Sequence, residues 1–168
     1  MELYMREDVV DPTGKIHYFA YENNMSAKSM SRKCPSAVYL GIAVLPDHRF
    51  IINEQGMATV IPKAASKVYG ILWLLSESDE KTLDHYKRIG EGPYIKSIRD
   101  IEVSEGRTGK AMLYVSRNFV YGVPGKSYMD EILANAEKHH FPRHYINELK
   151  QWSKKDGPGE DETIVLPR

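Results

Sequence analysis

The chain has 168 residues, 42% of them hydrophobic, which is enough for one domain with a single sizeable core and too short for two. Lys plus Arg number 23 and Asp plus Glu number 23, so no net field draws in nucleic acid or an anionic membrane, while small neutral or zwitterionic ligands remain open. The single cysteine, Cys34, excludes an internal disulfide and points to a reducing compartment; beside Pro35, with only Lys33 as a nearby base, it reads as a structural thiol.

The N-terminal stretch MELYMREDVV mixes charges into its apolar residues and lacks a signal-peptide core, and no later window approaches a membrane span, so a cytoplasmic location is expected. The turn-forming DPTGK then leads into an apolar run, Ile16 to Tyr21, that predicts a central strand. It stops at Glu22-Asn23-Asn24, polar residues delivered where a core should be closing. Ser26 is a candidate N-cap for a short helix that ends before Pro35.

From Ser36 to Leu75 the chain is rich in Val, Ile and Tyr and is punctuated by Pro46-Asp47, Glu54-Gln55-Gly56 and Pro62. These signals predict four consecutive strands, AVYLGIAVL, RFIIN, MATVI and KVYGILWLL, with Gly41 and Gly70 marking bends or close backbone approach. SESDEKTLDHYKRIG carries a helix signature with Ser76 or Ser78 as cap and Gly90 as stop, and its inward positions are Leu83, Tyr86 or Lys87, and Ile89. Two more strands, YIKSIRDIEV and KAMLYVS, flank SEGRTG as a hairpin loop. The last third is helical, GKSYMDEILANAEKHH and RHYINELKQW, interrupted by Pro142, with Tyr128, Ile132 or Leu133, and Ala136 facing inward. Residues 1–152 read as the domain and 153–168 as a polar tail, in which TIVL is a candidate edge strand or docking segment.

The sequence has no Gly-rich phosphate loop, no nucleophile elbow and no cysteine cluster for zinc. His139 and His140 are adjacent on a helix and diverge, so they read as a solvated helix end rather than a chelating pair. No metal site and no cofactor are predicted. The many tyrosines read mostly as core or interface residues, with two or three free to line a pocket.

A distributed pattern carries more. YFAYENNM is similar to the Y-F-A-Y-G-S-N-M strand and loop of the gamma-glutamylcyclotransferase family, also described as avirulence-induced-gene-like proteins. GMATVIP, VYGILWLL, LDHYKRIGEGPY, KAMLYV, PGKSYMDEIL and HHFPRHYINEL follow in that family's order, so the resemblance spans about Ile16 to Leu149. It implies an α+β fold, a mixed and mainly antiparallel β-barrel of six or seven strands with peripheral helices. It also implies cyclisation of a gamma-glutamyl group: the substrate's α-amine attacks the gamma-amide carbonyl, releasing 5-oxoproline and an amine. The first loop would hold the substrate's amino-acid end, and a glutamate in an L-D-x-x-E-G motif would move the proton.

At two places this chain departs from that pattern. Leu83-Asp84-His85-Tyr86 matches L-D-x-x, but Lys87 stands at the catalytic position and Arg88 at the glycine. In the loop, Glu22 and Asn23 replace glycine and serine, and Asn24 is kept. The two changes are of opposite charge, and the resemblance makes their side chains neighbours. The expected catalytic residues are therefore Glu22 and Lys87, with Tyr21, Asn23, Asn24, Met25, Tyr94 and Tyr128 around the substrate. The expected function is a rewired cyclotransferase-like protein acting on a small amino-acid-derived amide; the alternative is a non-catalytic relative whose pocket a Glu22–Lys87 pair closes. The expected partner is a small amino-acid-derived molecule, not nucleic acid or membrane, with a homodimer left open.

Overall fold

The computed structural model describes residues 4–104, 106–154 and 157. Five strands, β1 (Ile16–Ala20), β2 (Val38–Ile52), β3 (Ala58–Leu75), β4 (Tyr94–Ser104) and β5 (Arg107–Ser116), close into a barrel in the order β1-β3-β2-β4-β5. Every neighbouring pair is antiparallel except β1 and β5, whose parallel pairing at Tyr18 and Met112 closes the ring. Phe19, Leu45, Ile51, Ile61, Ile71 and Met112 are fully buried at its centre.

Among the described residues the strand count is five rather than six or seven, because the four strands expected between Ser36 and Leu75 are two long ones. Pro46-Asp47 and Pro62 do not end strands; they sit at one irregularity in a continuous β2–β3 ladder. Pro46 pairs with Lys67 and His48 with Pro62, which leaves Asp47 opposite the four-residue excursion 63–66. Asp47 and Ala65 both take positive φ there, 57° and 65°, and the Asp47 carboxylate accepts the Ala65 N–H at 3.0 Å. Proline lacks an N–H and is tolerated where a bulge already interrupts the ladder. The β4–β5 connection is also tighter than the expected loop, since β5 resumes at Arg107.

Gly41 and Gly70 mark the two kinds of place expected of them. Gly41 has φ +121° at a bulge in β2, and at Gly70 a Cβ would lie 2.4 Å from the Ala20 carbonyl oxygen and 2.7 Å from Phe19 Cζ. The glycine lets β1 and β3 cross closely just before the polar loop begins.

Four helices surround the barrel: α1 (Ala27–Lys33), α2 (Glu77–Tyr86), α3 (Lys126–Lys138) and α4 (Arg143–Lys150). Ser26 and Ser76 cap α1 and α2, their hydroxyls accepting the Ser29 and Asp79 N–H groups at 3.1 Å. On α2 the inward residue is Leu83, fully buried, whereas Tyr86 is exposed. On α3 it is Met129, Ile132 and Ala136 that are buried, with Tyr128 only partly so. The expected TIVL strand lies outside the described residues.

Two helices stop in the same way. In α2, Ile89 N–H bonds to Asp84 O at 3.0 Å and Arg88 N–H to His85 O at 3.0 Å, with Arg88 left-handed at φ 53°. In α3, Phe141 N–H bonds to Ala136 O and His140 N–H to Glu137 O, with His140 at φ 56°. Both are Schellman motifs, which satisfy the last helical carbonyls and favour glycine at the left-handed position. The glycine of the L-D-x-x-E-G pattern falls at the Arg88 position, so the helix ends two residues before the expected stop at Gly90 and places Lys87 at its C-cap. Replacing Arg88 by Gly should therefore stabilise the fold by about 0.5–1 kcal/mol, because the left-handed penalty of a residue with a Cβ is removed; urea unfolding midpoints of the two chains check this.

Candidate functional site

The loop after β1 folds as a 3-10 turn, Asn23–Met25, and bonds through its peptide groups and side chains fix it from several directions. Met25 N–H bonds to Glu22 O, and Ser26 N–H to Asn23 O, both at 3.1 Å. Trp73 Nε1 donates to Asn24 O at 3.0 Å. The Asn24 amide donates to Tyr18 Oη at 3.0 Å and accepts from Lys33 Nζ at 2.9 Å, so all its side-chain polar atoms are used internally. His139 Nε2 lies 2.9 Å from Met25 O and so carries the proton, its ring stacked between Tyr39 and Phe141. His139 is thus half-buried and ties the end of α3 to the loop, in place of the solvated helix end expected of it.

This frame points Glu22 inward. Its side chain is 4% exposed; one carboxylate oxygen accepts from Lys87 Nζ and the other from Tyr128 Oη. Lys87, 10% exposed, reaches in from the C-cap of α2, with its ammonium 4.8 Å from the Tyr94 ring centre and 5.9 Å from that of Tyr114. Aromatic faces attract a cation, which adds to the ion pair in holding Lys87. Tyr128 Oη also accepts the Ala58 N–H at 3.1 Å, and Tyr94 Oη donates to the Ala58 carbonyl at 2.6 Å. Burial first, and then the Glu22 charge, push the Tyr128 phenol well above its usual range, so it stays a donor to Glu22.

Of the expected site residues, the structure brings Glu22, Lys87, Tyr94 and Tyr128 together. Tyr21 donates to Tyr114 O at 2.5 Å and packs against Phe19 and Phe50, and Met25 is buried in the core. The Asn23 Oδ1 atom is buried and takes no hydrogen bond among the described residues.

Sequence reasoning missed a second network behind the first. Asp84 accepts from Tyr114 Oη at 2.7 Å and from Lys96 Nζ at 3.0 Å; Lys96 also donates to Glu80, which accepts from Tyr4 Oη at 2.9 Å and from Arg6 Nε at 2.8 Å. Asp84 lies within the quoted L-D-x-x segment, so its recurrence there was a usable signal; Lys96 and Glu80 carry none. Burial pushes the Glu80 carboxyl up, but donation from Lys96, Arg6 and Tyr4 outweighs it and leaves the group below the usual carboxylate range. Burial also pushes the Cys34 thiol up to about 12, with its sulfur 3.6 Å from Asp79 O, consistent with the structural role expected of it. Among the described residues no group of three His, Cys, Asp or Glu side chains could hold a metal ion, and no helix is long and apolar enough to cross a membrane.

Two outcomes follow. Removing either partner of the inner pair, Glu22→Gln or Lys87→Met, strands a buried charge and should cost about 3–5 kcal/mol, while the double variant should cost clearly less than the sum; urea titrations of the four chains check this. Glu80, with a depressed pKa, contributes stability that is fully present above about pH 5 and is lost as the pH falls through its folded value. The stability gap between the wild-type chain and Glu80→Gln should therefore be widest near neutrality and narrow towards pH 3, as read from unfolding midpoints across that range.

With the geometry described, comparison with known proteins adds a frame. The AIG2-like family model matches residues 67–149. The human gamma-glutamylcyclotransferase is 25% identical over 153 residues, covering 85% of this chain and 81% of that protein. The mouse gamma-glutamylcyclotransferase is 24% identical over 143 residues, covering 79% and 76%. A solved gamma-glutamyl cyclotransferase superposes with a TM-score of 0.75 at 24% identity, over 90% of this chain and 93% of that one. The chain is therefore similar to the gamma-glutamylcyclotransferases, matches the AIG2-like family model over residues 67–149 and shares the barrel fold of the solved gamma-glutamyl cyclotransferase.

Proposed function

We propose that this chain acts on a small amino-acid-derived gamma-amide by intramolecular acyl transfer, with Glu22 in place of the family's glutamate. One observation carries this reading: the Glu22 carboxylate lies in hydrogen-bond contact with the tip of side chain 87, the position at which the family pattern has its proton-transferring acid. The carboxylate is supplied from the loop instead of the helix end. When a substrate opens the pair, Glu22 takes a proton from the substrate's ammonium, and the freed amine attacks the gamma-amide carbonyl. The new C–N bond closes a five-membered ring as negative charge moves to the carbonyl oxygen. Collapse of that oxyanion breaks the old C–N bond as the proton held by Glu22 passes to the departing nitrogen; the ring nitrogen then gives its extra proton to the emptied carboxylate, and the released amine takes that proton away as an ammonium. Lys87, released from Glu22, faces the developing oxyanion or a substrate carboxylate. The Tyr128 phenol keeps the carboxylate oriented throughout. The ligand class suits a chain with balanced charge, and the lone buried thiol suits a reducing, cytoplasmic location.

A second reading rests on a different observation. Glu22 is nearly inaccessible, and Val38, Tyr39, Leu40 and Ile42 are exposed on β2, as a relative with a closed pocket and an interaction surface would show. Assay of 5-oxoproline release from gamma-L-glutamyl amides separates the two. On the first reading the wild-type chain turns over weakly and Glu22→Gln loses at least about a hundredfold, the usual scale of a lost general base. On the second, the wild-type rate equals background, and only the double variant Glu22→Gly/Lys87→Glu, which restores the family's residues at those two positions, releases 5-oxoproline.

A further inference from the structure

Among the described residues, one half-buried cation beside the site has only neutral groups in contact with it. Arg6 and Lys96 face Glu80 and Asp84, and Lys87 faces Glu22. Lys33, at the last position of α1, is left over. Its ammonium is half-buried, and among the described residues its partners are the Asn24 Oδ1 atom at 2.9 Å and the Tyr86 ring at 5.1 Å, neither of which carries a charge. It nevertheless belongs electrostatically to the site: burial first, then the Lys87 charge, lower its pKa, and Glu22 raises it, with Glu131 of α3 a lesser influence. The site therefore holds an ammonium with only neutral partners beside a locked loop. In that same loop the Asn23 Oδ1 atom is a buried acceptor with no donor among the described residues.

We propose that Lys33 anchors a carboxylate of the ligand, so that the site takes anionic gamma-amides in preference to neutral ones. This rests on the ligand-binding reading given above. Asn24 holds the ammonium in place through a neutral acceptor, which fixes its position without cancelling its charge. An incoming carboxylate gives the ammonium a partner of opposite charge and a charge-assisted hydrogen bond in a partly desolvated place.

Two carboxylates are candidates, the one on the α-carbon of the gamma-glutamyl group and the one on the departing amino acid. Isothermal titration calorimetry of wild type, Lys33→Met and Lys33→Arg with three probes tells them apart. The probes are gamma-L-glutamylglycine, gamma-L-glutamylglycinamide without the distal carboxylate, and 4-aminobutanoylglycine without the α-carboxylate. Lys33→Met should weaken gamma-L-glutamylglycine about tenfold or more, as expected for a lost charge-assisted bond, and Lys33→Arg should keep affinity within about threefold. The effect of Lys33→Met should vanish on one of the two monocarboxylates, which identifies the group held. Equal affinity of wild type and Lys33→Met for the dicarboxylate, or an effect that persists on both monocarboxylates, overturns the inference alone. Absence of binding of all three probes by the wild-type chain overturns the ligand site and the inference with it. Should the methionine variant fail to fold, Lys33→Gln carries the same comparison.

Discussion

A carboxylate that is 4% exposed must find a cation and enough donors, or take up a proton, and the arrangement around Glu22 follows from that requirement. Glu22 sits 65 residues from Lys87 and 106 from Tyr128, so meeting its needs fastens the first loop, the end of α2 and the start of α3 to one another. Each partner is constrained in turn. Lys87 reaches the carboxylate because the Schellman motif turns the chain directly after it, and Tyr128 reaches it while its hydroxyl also takes the Ala58 N–H. Tyr94 and Tyr114 wall the ammonium with ring faces rather than competing charges.

The loop itself is held by groups that would otherwise be orphaned. Carbonyls of a 3-10 turn point away from the turn and need donors from elsewhere. Trp73 supplies one from the barrel wall and His139 one from the helical layer. With Asn24 joined to Tyr18 and Lys33 as well, the loop is clamped from the barrel, from α1 and from α3. On the proposed reading a ligand would meet a preorganised frame here, in which the parts that respond are side chains: the inner pair, Lys33 and Asn23. Preorganisation of this kind lowers the ordering cost of binding.

Much of this was legible in the sequence because it depended on local rules. The strand from Ile16, the Ser26 and Ser76 caps and the helices of the last third follow from periodicity and capping, and the family pattern joined Glu22 to Lys87 across distance. The misreadings have physical causes. Pro46 and Pro62 are turn signals in isolation, but on the two strands of one ladder they flank a bulge, and pairing is not written in either segment alone. Arg88 carries no sign of a left-handed conformation, since its side chain gives no local reason for one; the hydrogen bonds of the helix end impose it. Lys96, Glu80 and Arg6 read as ordinary surface charges until the barrel brings three separate segments together.

On the proposed reading, the two departures from the family pattern are physically one change. Glu22 beside a glutamate at position 87 would bury two like charges in contact, which raises the pKa of one and removes its charge. Lys87 beside a glycine at position 22 would leave a nearly buried ammonium with only ring faces for company. Either change alone is destabilising, and together they restore a neutral, hydrogen-bonded centre. That coupling conserves a carboxylate at the site while reversing which element carries it. The helix end then contributes a cation where it would have contributed an acid. On the same reading Lys33, whose partners are neutral, adds a second cation beside the loop, so the exchange that would keep a base at the site would also change which ligands it favours.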